Sequence, residues 1–420
     1  MTSRAEIERS LAEVVREERG RLVAGLVRVL NDWDAAEEVA QDALVSALEH
    51  WPRSGVPGNP GAWLTTTARR LAIDRLRRSA RYRDRLATIA ADSDEMSART
   101  PTGGPLDGDD RLRLLFTCCH PALREEAQVA LTLRTIGGLD TPAVARAFLV
   151  TEATVAQRLV RAKRKIRVAG IPYRVPEAAE LPARLDGVLR VLYLIFNEGY
   201  LASASDTVER RDLARDAEWL TSLLVQLMPD EAEPMGLLAL MRLHLARADA
   251  RFGTDGDLVL LADQDRSRWD HAAIRDADRL LRDALRRGRP GRYQVQAAIV
   301  ACHAVAPTYE QTDWAEIIAL YDALLRLEPT PVVALNRAVA RAERDGPAAA
   351  LADLEPLRPR LERWHLFHAA RGELLRRLGR IDEARDATRW ALALVVNPGE
   401  RRTLERRLSQ LGSARSAGPT

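Results

Sequence analysis

Aromatic residues are few in this 420-residue sequence, 5% of the total, and cysteine is scarcer still, with three residues of which two are adjacent. Three thiols give no disulfide framework, so a reducing cytoplasm is the expected compartment and a hydrophobic core must carry the fold. No apolar run approaches the roughly eighteen residues that a membrane-spanning helix needs. The opening stretch, MTSRAEIERSLAEVVREERG, is charged throughout and lacks the apolar centre of a signal peptide. No membrane partner is therefore expected. Charge of one sign is also missing in bulk. The 63 Lys and Arg against 60 Asp and Glu leave a net charge of +3, so any nucleic-acid contact must come from local patches. No phosphate-binding glycine loop and no nucleophile–base–acid set occurs. No catalytic residue, metal site or cofactor is assigned.

What is present points to helix. Hydrophobic residues make up 46%, with Ala, Leu and Arg dominant and β-branched runs scarce. The expected fold class is all-α: two small helical modules joined by a flexible linker, then a tetratricopeptide-like helical-repeat domain. The first module covers 1–80. Glu6 to Leu30 reads as one helix, and Asn31-Asp32 as a cap or turn. A second helix runs from Asp34 to Trp51 with Val39, Ala43, Leu44, Ala47 and Leu48 apolar. Its acids, Asp34, Glu37, Glu38 and Asp42, suit a helix N-terminus, although Asp42 lies beyond the reach of the helix dipole. Pro52 to Pro60, PRSGVPGNP, is expected as a loop. The stretch Pro60 to Ser79 is a helix with Leu64, Ala68, Leu71, Ala72 and Leu76 on one face. It sets five arginines, Arg69, Arg70, Arg75, Arg77 and Arg78, against one aspartate, Asp74. A buried stripe behind such a face suits presentation to a phosphate backbone.

Residues 81–109 lack apolar anchors, cluster Pro and Gly, and read as the linker. The second module, 110–172, has helices at Arg111 to Cys119 and Leu123 to Ile136, followed by LDTPAVARAFLVTEATVAQRLVRAKRKIRVAG. There Thr141 is expected to cap a short helix with Pro142 at its first position. Ala145 supplies the small residue of a tight crossing, Leu149-Val150 the turn, and Thr151 the cap of a second helix. Val155, Leu159 and Ile166 are its buried face. Glu152, Thr154, Gln157, Arg158, Arg161, Lys163, Arg164, Lys165 and Arg167 are exposed. Polar side chains at the start of such a helix reach base edges, and the basic run behind them holds phosphates.

From 173 to 412 the chain is helical without the basic bias. Gly346 and Gly379 stand 33 residues apart, and Gly372, Gly379, Ala384, Ala391 and Pro398 fit the small residues, turn glycine and closing proline of a tetratricopeptide unit. Residues 413–420 are expected to form a disordered tail. Three local features have residue types that could carry chemistry. Cys118-Cys119-His120 is read as packing, because adjacent cysteines on a helix diverge by about 100°. Asp263, Asp265, Arg266, Arg268 and Asp270 around Trp269 are read as an ion network between helices; an enzyme site is the alternative there. Asn197-Glu198-Gly199 is read as a helix end.

Residues 1–170 resemble a sigma-70-type RNA polymerase sigma factor of the extracytoplasmic-function group. DAAEEVAQDALVSALEHW resembles the helix that grips the clamp helices of core polymerase, and GAWLTTTARRLAIDRLRR the helix that meets the upstream melted promoter element. LDTPAVARAFLVTEATVAQRLVRAKRKIR resembles the helix-turn-helix that reads the distal element as duplex. Ala40 and Ala43 stand where the family usually has bulkier residues, and Arg70 stands where it often has an asparagine. The resemblance implies core RNA polymerase and promoter DNA as partners. Asp34, Glu37, Glu38, Gln41 and Asp42 would face the polymerase. Arg53 and Asn59, in the loop, and the arginines of 69–78 would contact the melted strand. LIFNEGY, LLADQDRSRWD, GRYQVQAAIVACHA and ALNRAVA resemble a sigma subgroup with a tetratricopeptide-like extension, which implies regulation through a protein or small-molecule effector on the extension. On the residues alone, a helix-turn-helix operator-binding regulator with no polymerase role stays open as the alternative.

Overall fold

The computed structural model describes residues 20–30, 32–89, 110–148, 150–200, 208–253 and 257–413. The expectations for residues 6–19, Asn31, the linker beyond 89, Leu149 and the tail from 414 lie outside the described residues. Apart from an antiparallel bridge between Phe252 and Leu258, every regular element among the described residues is helical. The chain forms two compact units, 1–195 and 196–420.

In the first unit, α1 (20–30), α2 (Trp33–Ser54) and α3 (Pro60–Ile89) share one core. Leu22, Val23, Leu26 and Val27 of α1 meet Ala36, Val39, Ala40, Ala43, Ala47 and Trp51 of α2 and Leu64, Ala68 and Ala72 of α3. The buried face of α2 is mostly alanine, so its backbone approaches its neighbours closely, while Trp51 supplies the bulk at one end. Ala40 and Ala43 are among the buried residues, which accounts for small side chains at both positions.

Asp32 starts α2 by accepting from the amides of Asp34 and Ala35. The helix then continues through Pro52 to Ser54, where a loop was expected. Proline costs a helix one amide bond and crowds the carbonyl four residues back. In the last turn that loss is small, Trp51 anchors the turn in the core, and Gly55, at φ 80°, ends it by donating to Trp51 O. The loop shortens to 55–59. Helix α3 begins where the sequence indicates and runs past Ser79 to Ile89, because RYRDRLATI contains no helix breaker.

The second half of this unit contains α4 (Asp110–Cys118), α5 (Glu125–Thr135), α6 (Thr141–Ala147) and α7 (Glu152–Val168). Thr141 proves to be the first helical residue and Asp140 the cap, accepting from Ala143 N at 2.7 Å; its carboxylate reaches the orphan amide from one position earlier. Ala145 is buried at the crossing of α6 and α7, and its carbonyl accepts from Val150 N. Helix α8 (Leu181–Tyr200) begins in this unit, where Arg184 donates to Phe116 O at 2.6 Å.

The second unit takes the end of α8 and stacks α9 (Val208–Leu227), α10 (Ala232–Leu245), α11 (His271–Leu285), α12 (Arg292–Val305), α13 (Trp314–Leu327), α14 (Pro331–Arg344), α15 (Pro347–Leu354), α16 (Arg358–Leu361), α17 (His365–Arg377), α18 (Ile381–Leu394) and α19 (Pro398–Ser413). Packing is largely between near neighbours in sequence, as in a helical repeat. Gly346 and Gly379 both adopt positive φ, 86° and 74°, at equivalent turns. Arginines tie packed elements together: Arg337 to Asp322 at 2.6 Å, Arg341 to Asp353 at 2.5 Å, Arg371 to Glu355 at 2.7 Å and Arg377 to Glu343 at 2.6 Å.

Gly199 stands one residue before the last described residue of α8 but is not a left-handed cap. It lies against α9, where a Cβ would stand 2.3 Å from Ala214 N, so the glycine serves close approach.

Candidate functional site

The outer face of α2 follows from its inner one. With Ala36, Val39, Ala40, Ala43 and Ala47 turned inward, Asp34, Glu38, Gln41 and Asp42 fall outward and are exposed, and Glu37 is half-buried. Those side chains present carboxylates and one amide along about two turns. That arrangement suits charge-assisted bonds to arginines on a partner helix.

On α3, Arg69, Arg70, Arg77 and Arg78 are exposed. Arg78 Nε donates to Asp74 O at 3.3 Å. Arg75 leans to α2 and pairs with Glu38 at 2.6 Å, so the acidic and basic surfaces adjoin. Arg53 is exposed in the last turn of α2. Asn59 is exposed too, with its carbonyl oxygen capping α3 by accepting from Ala62 N at 3.0 Å. Trp63 sits edge-on to the buried Trp51 at 5.7 Å and supports the start of α3.

In the helix-turn-helix, Thr151 caps α7, accepting from Thr154 N at 3.2 Å, and its hydroxyl lies 2.8 Å from that of Thr154. Glu152, Gln157, Arg161, Arg164, Lys165 and Arg167 are exposed and Arg158 is half-buried. Lys163 points elsewhere. Its ammonium lies 2.8 Å from Asp34 Oδ1 and 3.3 Å from Glu37 Oε2, with Arg134 of α5 3.8 Å from the same Glu37 oxygen. Nothing local in the sequence signals a pairing between residues 34 and 163. Arg134 and Tyr173, which also joins the two halves, carry no local sequence signal either.

Cys118 and Cys119 are buried, and burial pushes both thiols up, that of Cys119 to about 12. Cys119 Sγ lies 3.6 Å from Thr132 Oγ1 within the packing. The charged cluster at 263–270 is not a carboxylate–guanidinium network. Asp265 and Asp270 accept from backbone amides, Arg266 donates to His303 O and Ala306 O at 2.7 Å, and Arg268 donates to Asp249 O. Asp265 and Asp270 serve as caps and the arginines bond carbonyls; Arg266 also stacks 4.5 Å from the Trp269 ring centre. Beside this cluster the second unit holds an open cavity of about 1010 Å³ with Tyr200, Arg251, Phe252 and Trp269 in its wall.

Comparison with known proteins agrees with this geometry. The family model described as Sigma-70 region 2 matches residues 14–82, and that described as Sigma-70, region 4 matches 113–166. A family of unknown function, DUF6596, matches 184–285. The chain belongs to the sigma-70-type sigma factors, within the extracytoplasmic-function (ECF) group. It is 32% identical over 144 residues to the ECF RNA polymerase sigma factor SigL of Mycobacterium tuberculosis, 34% of this chain and 78% of that protein. It is 29% identical over 150 residues to SigK of Mycobacterium ulcerans, again 34% and 78%. Over nearly its whole length, 94% of both chains, it is 45% identical to an uncharacterised protein, R00370, of Rhizobium meliloti. The structure of yeast Tom70 aligns with 98% of this chain and 86% of its own at a TM-score of 0.37 and 11% identity.

As a sigma factor the chain takes part in transcription initiation, with core RNA polymerase and promoter DNA as its partners, and the operator-only alternative gives way. Among the described residues no helix is long and apolar enough to cross a membrane.

Proposed function

We propose that this sigma factor grips core polymerase through Asp34, Glu37, Glu38, Gln41 and Asp42. In the same reading it holds the melted upstream element with Arg53, Asn59, Arg69, Arg70, Arg75, Arg77 and Arg78. It reads the distal element with Glu152, Thr154, Gln157, Arg158 and Arg161, backed by Lys163, Arg164 and Lys165. The observation that carries this reading is the back-to-back geometry of α2 and α3: one shared core holds an acidic face and an arginine face rigidly side by side. Specificity then sits in the short loop 55–59, Asn59 included, and in Arg53 just before it, because extruded bases need polar groups around them. The arginines of α3 supply affinity.

The extension regulates this activity by binding an effector. The cavity carries Tyr200, Phe252 and Trp269 in a wall otherwise rich in charge, with Arg251, Arg215 and Asp212 among its residues, and supports a small polar or charged molecule as that effector.

The test is in-vitro transcription on a pool of genomic templates with core polymerase and the full chain. Promoter-dependent initiation is expected. Replacing Glu38, Gln41 and Asp42 by alanine together should abolish it while leaving the helical content unchanged. Failure of the unaltered chain to initiate at any template would sink the proposal.

A further inference from the structure

Arg337, Arg341, Arg371 and Arg377 each meet a carboxylate. Three arginines around the cavity of the second unit do not. Arg247 is 7% exposed; it donates to Leu243 O at 3.3 Å and to the Tyr200 hydroxyl, and lies 3.2 Å from His244 Nδ1. Arg251 donates to Tyr200 O, and Arg266 to His303 O and Ala306 O. Among the described residues no carboxylate pairs with any of the three.

Each of these guanidiniums lies over an aromatic ring. Arg251 is 3.8 Å from the Tyr200 ring centre and 5.3 Å from that of Phe252, and Arg247 stands 5.7 Å from Trp269, on which Arg266 also stacks. The rings of the cavity are therefore covered by arginines and serve to hold them. A guanidinium held on a ring keeps its in-plane N–H fork for a carboxylate or phosphate. Donors without acceptors accumulate here too: the indole N–H of Trp269, a wall residue 4% exposed, and Arg266 Nη2 are both buried and unpaired. The acids of the wall, Asp212, Asp249, Asp270 and Asp276, are all exposed, and Asp270 and Asp276 are engaged, one as the cap of α11 and the other with Arg279. Half-buried Arg242 is matched by Glu218 at 2.7 Å. At the covered side of the cavity, half-buried Arg251 and buried Arg247 have no such match.

Burying a guanidinium without a counter-charge is costly, and like charges beside it add to the cost. Burial, with Arg251 and Arg266 as neighbours, draws Arg247 below its ordinary value, against the Tyr200 hydroxyl. We propose that the cavity is an oxyanion site, in which a small molecule bearing a carboxylate or a phosphate sets that group on Arg251, with Arg247 and Arg266 strengthening the positive field behind it. This rests on the reading of the cavity as the effector site and fixes the sign of the effector's charge. A volume of about 1010 Å³ gives room for a metabolite-sized molecule around the acid group.

The test is calorimetric titration of the full chain at constant ionic strength. Succinate and glycerol 3-phosphate are the oxyanion probes, putrescine the cationic probe and glycerol the neutral one. Saturable binding of an oxyanion is expected, and the first two probes tell carboxylate from phosphate. Arg251→Met should weaken that binding about tenfold or more, through loss of a charge-assisted bond. Arg251→Lys keeps the charge without the fork and should weaken it about threefold; it decides the matter if the methionine variant does not fold by circular dichroism. No saturable oxyanion binding would overturn the site. Binding that neither substitution alters belongs to the arginine face of α3 and would overturn it equally. Saturable binding of putrescine alone would overturn the charge assignment and keep the cavity as an effector site. Oxyanion binding that follows Arg251, while promoter-dependent initiation with core polymerase is unmoved by the same probe, would establish the site and remove the effector reading.

Discussion

Glu38 and Arg75 pair at 2.6 Å while standing on faces meant for different macromolecules, and both are well exposed. Such a pair contributes on the order of 0–1 kcal/mol. Arg75→Ala should therefore leave stability nearly unchanged. In DNA binding, Arg75→Ala and Arg78→Ala should each lower the slope of log affinity against log salt by about one, with little change in sequence preference. A titration of binding against salt checks this; an unchanged slope would remove both from the phosphate contacts. Gly199 is the residue whose meaning differed most from expectation. In sequence, Asn-Glu-Gly has the composition of a helix end, and nothing local reveals that Ala214 will lie 2.3 Å from its missing Cβ. Gly199→Ala must push α8 from α9. It should cost more than about 2 kcal/mol in denaturant unfolding, although alanine favours helix by about 1 kcal/mol.

At the scale of the element, legibility tracked how local the determining contacts are. Helix α7 was readable with its cap because Thr151 acts on an amide three residues away, and the buried face of Val155, Leu159 and Ile166 follows helical spacing. The cap of α6 was misplaced by one, from Asp140 to Thr141, since either side chain is a competent acceptor at that distance. Pro52 misled for a different reason: its effect depends on Trp51, and burial of that indole is a tertiary fact. Among the site residues, the exposed acids and arginines followed from helical periodicity. The pairing of Lys163 across 129 residues could not, because opposite charges occur throughout the chain. Removing the α7 cap by Thr151→Ala should cost about 1 kcal/mol, seen as a lower thermal midpoint. It should weaken distal-element binding without altering which sequence is preferred.

For the molecule as a whole, two half-buried histidines in the second unit contribute to its response to acid. Burial, with Arg247 and Arg266 nearby, lowers the His303 imidazole to about 4, and burial lowers His244 further from its ordinary value. A histidine kept neutral in the fold takes up protons more readily when unfolded. The stability it contributes is complete above about pH 6.5 and is lost as pH falls toward 4. The thermal midpoint should drop across that window, and less steeply in His303→Gln. An unchanged profile in that variant would discount His303. All-α architecture and two modules followed by a repeat were legible in composition and spacing; the acid-sensitive interior was not, because it depends on which side of each helix is covered. The arginines of the later helices are matched to their own aspartates and glutamates, Arg337 to Asp322 and Arg377 to Glu343 among them. Their fields cancel at short range, so that part of the chain adds little to the potential felt by a distant polyanion. Long-range steering of the molecule toward DNA then falls to α3 and α7, and the rate of first encounter is set by their eight and six guanidinium and ammonium groups.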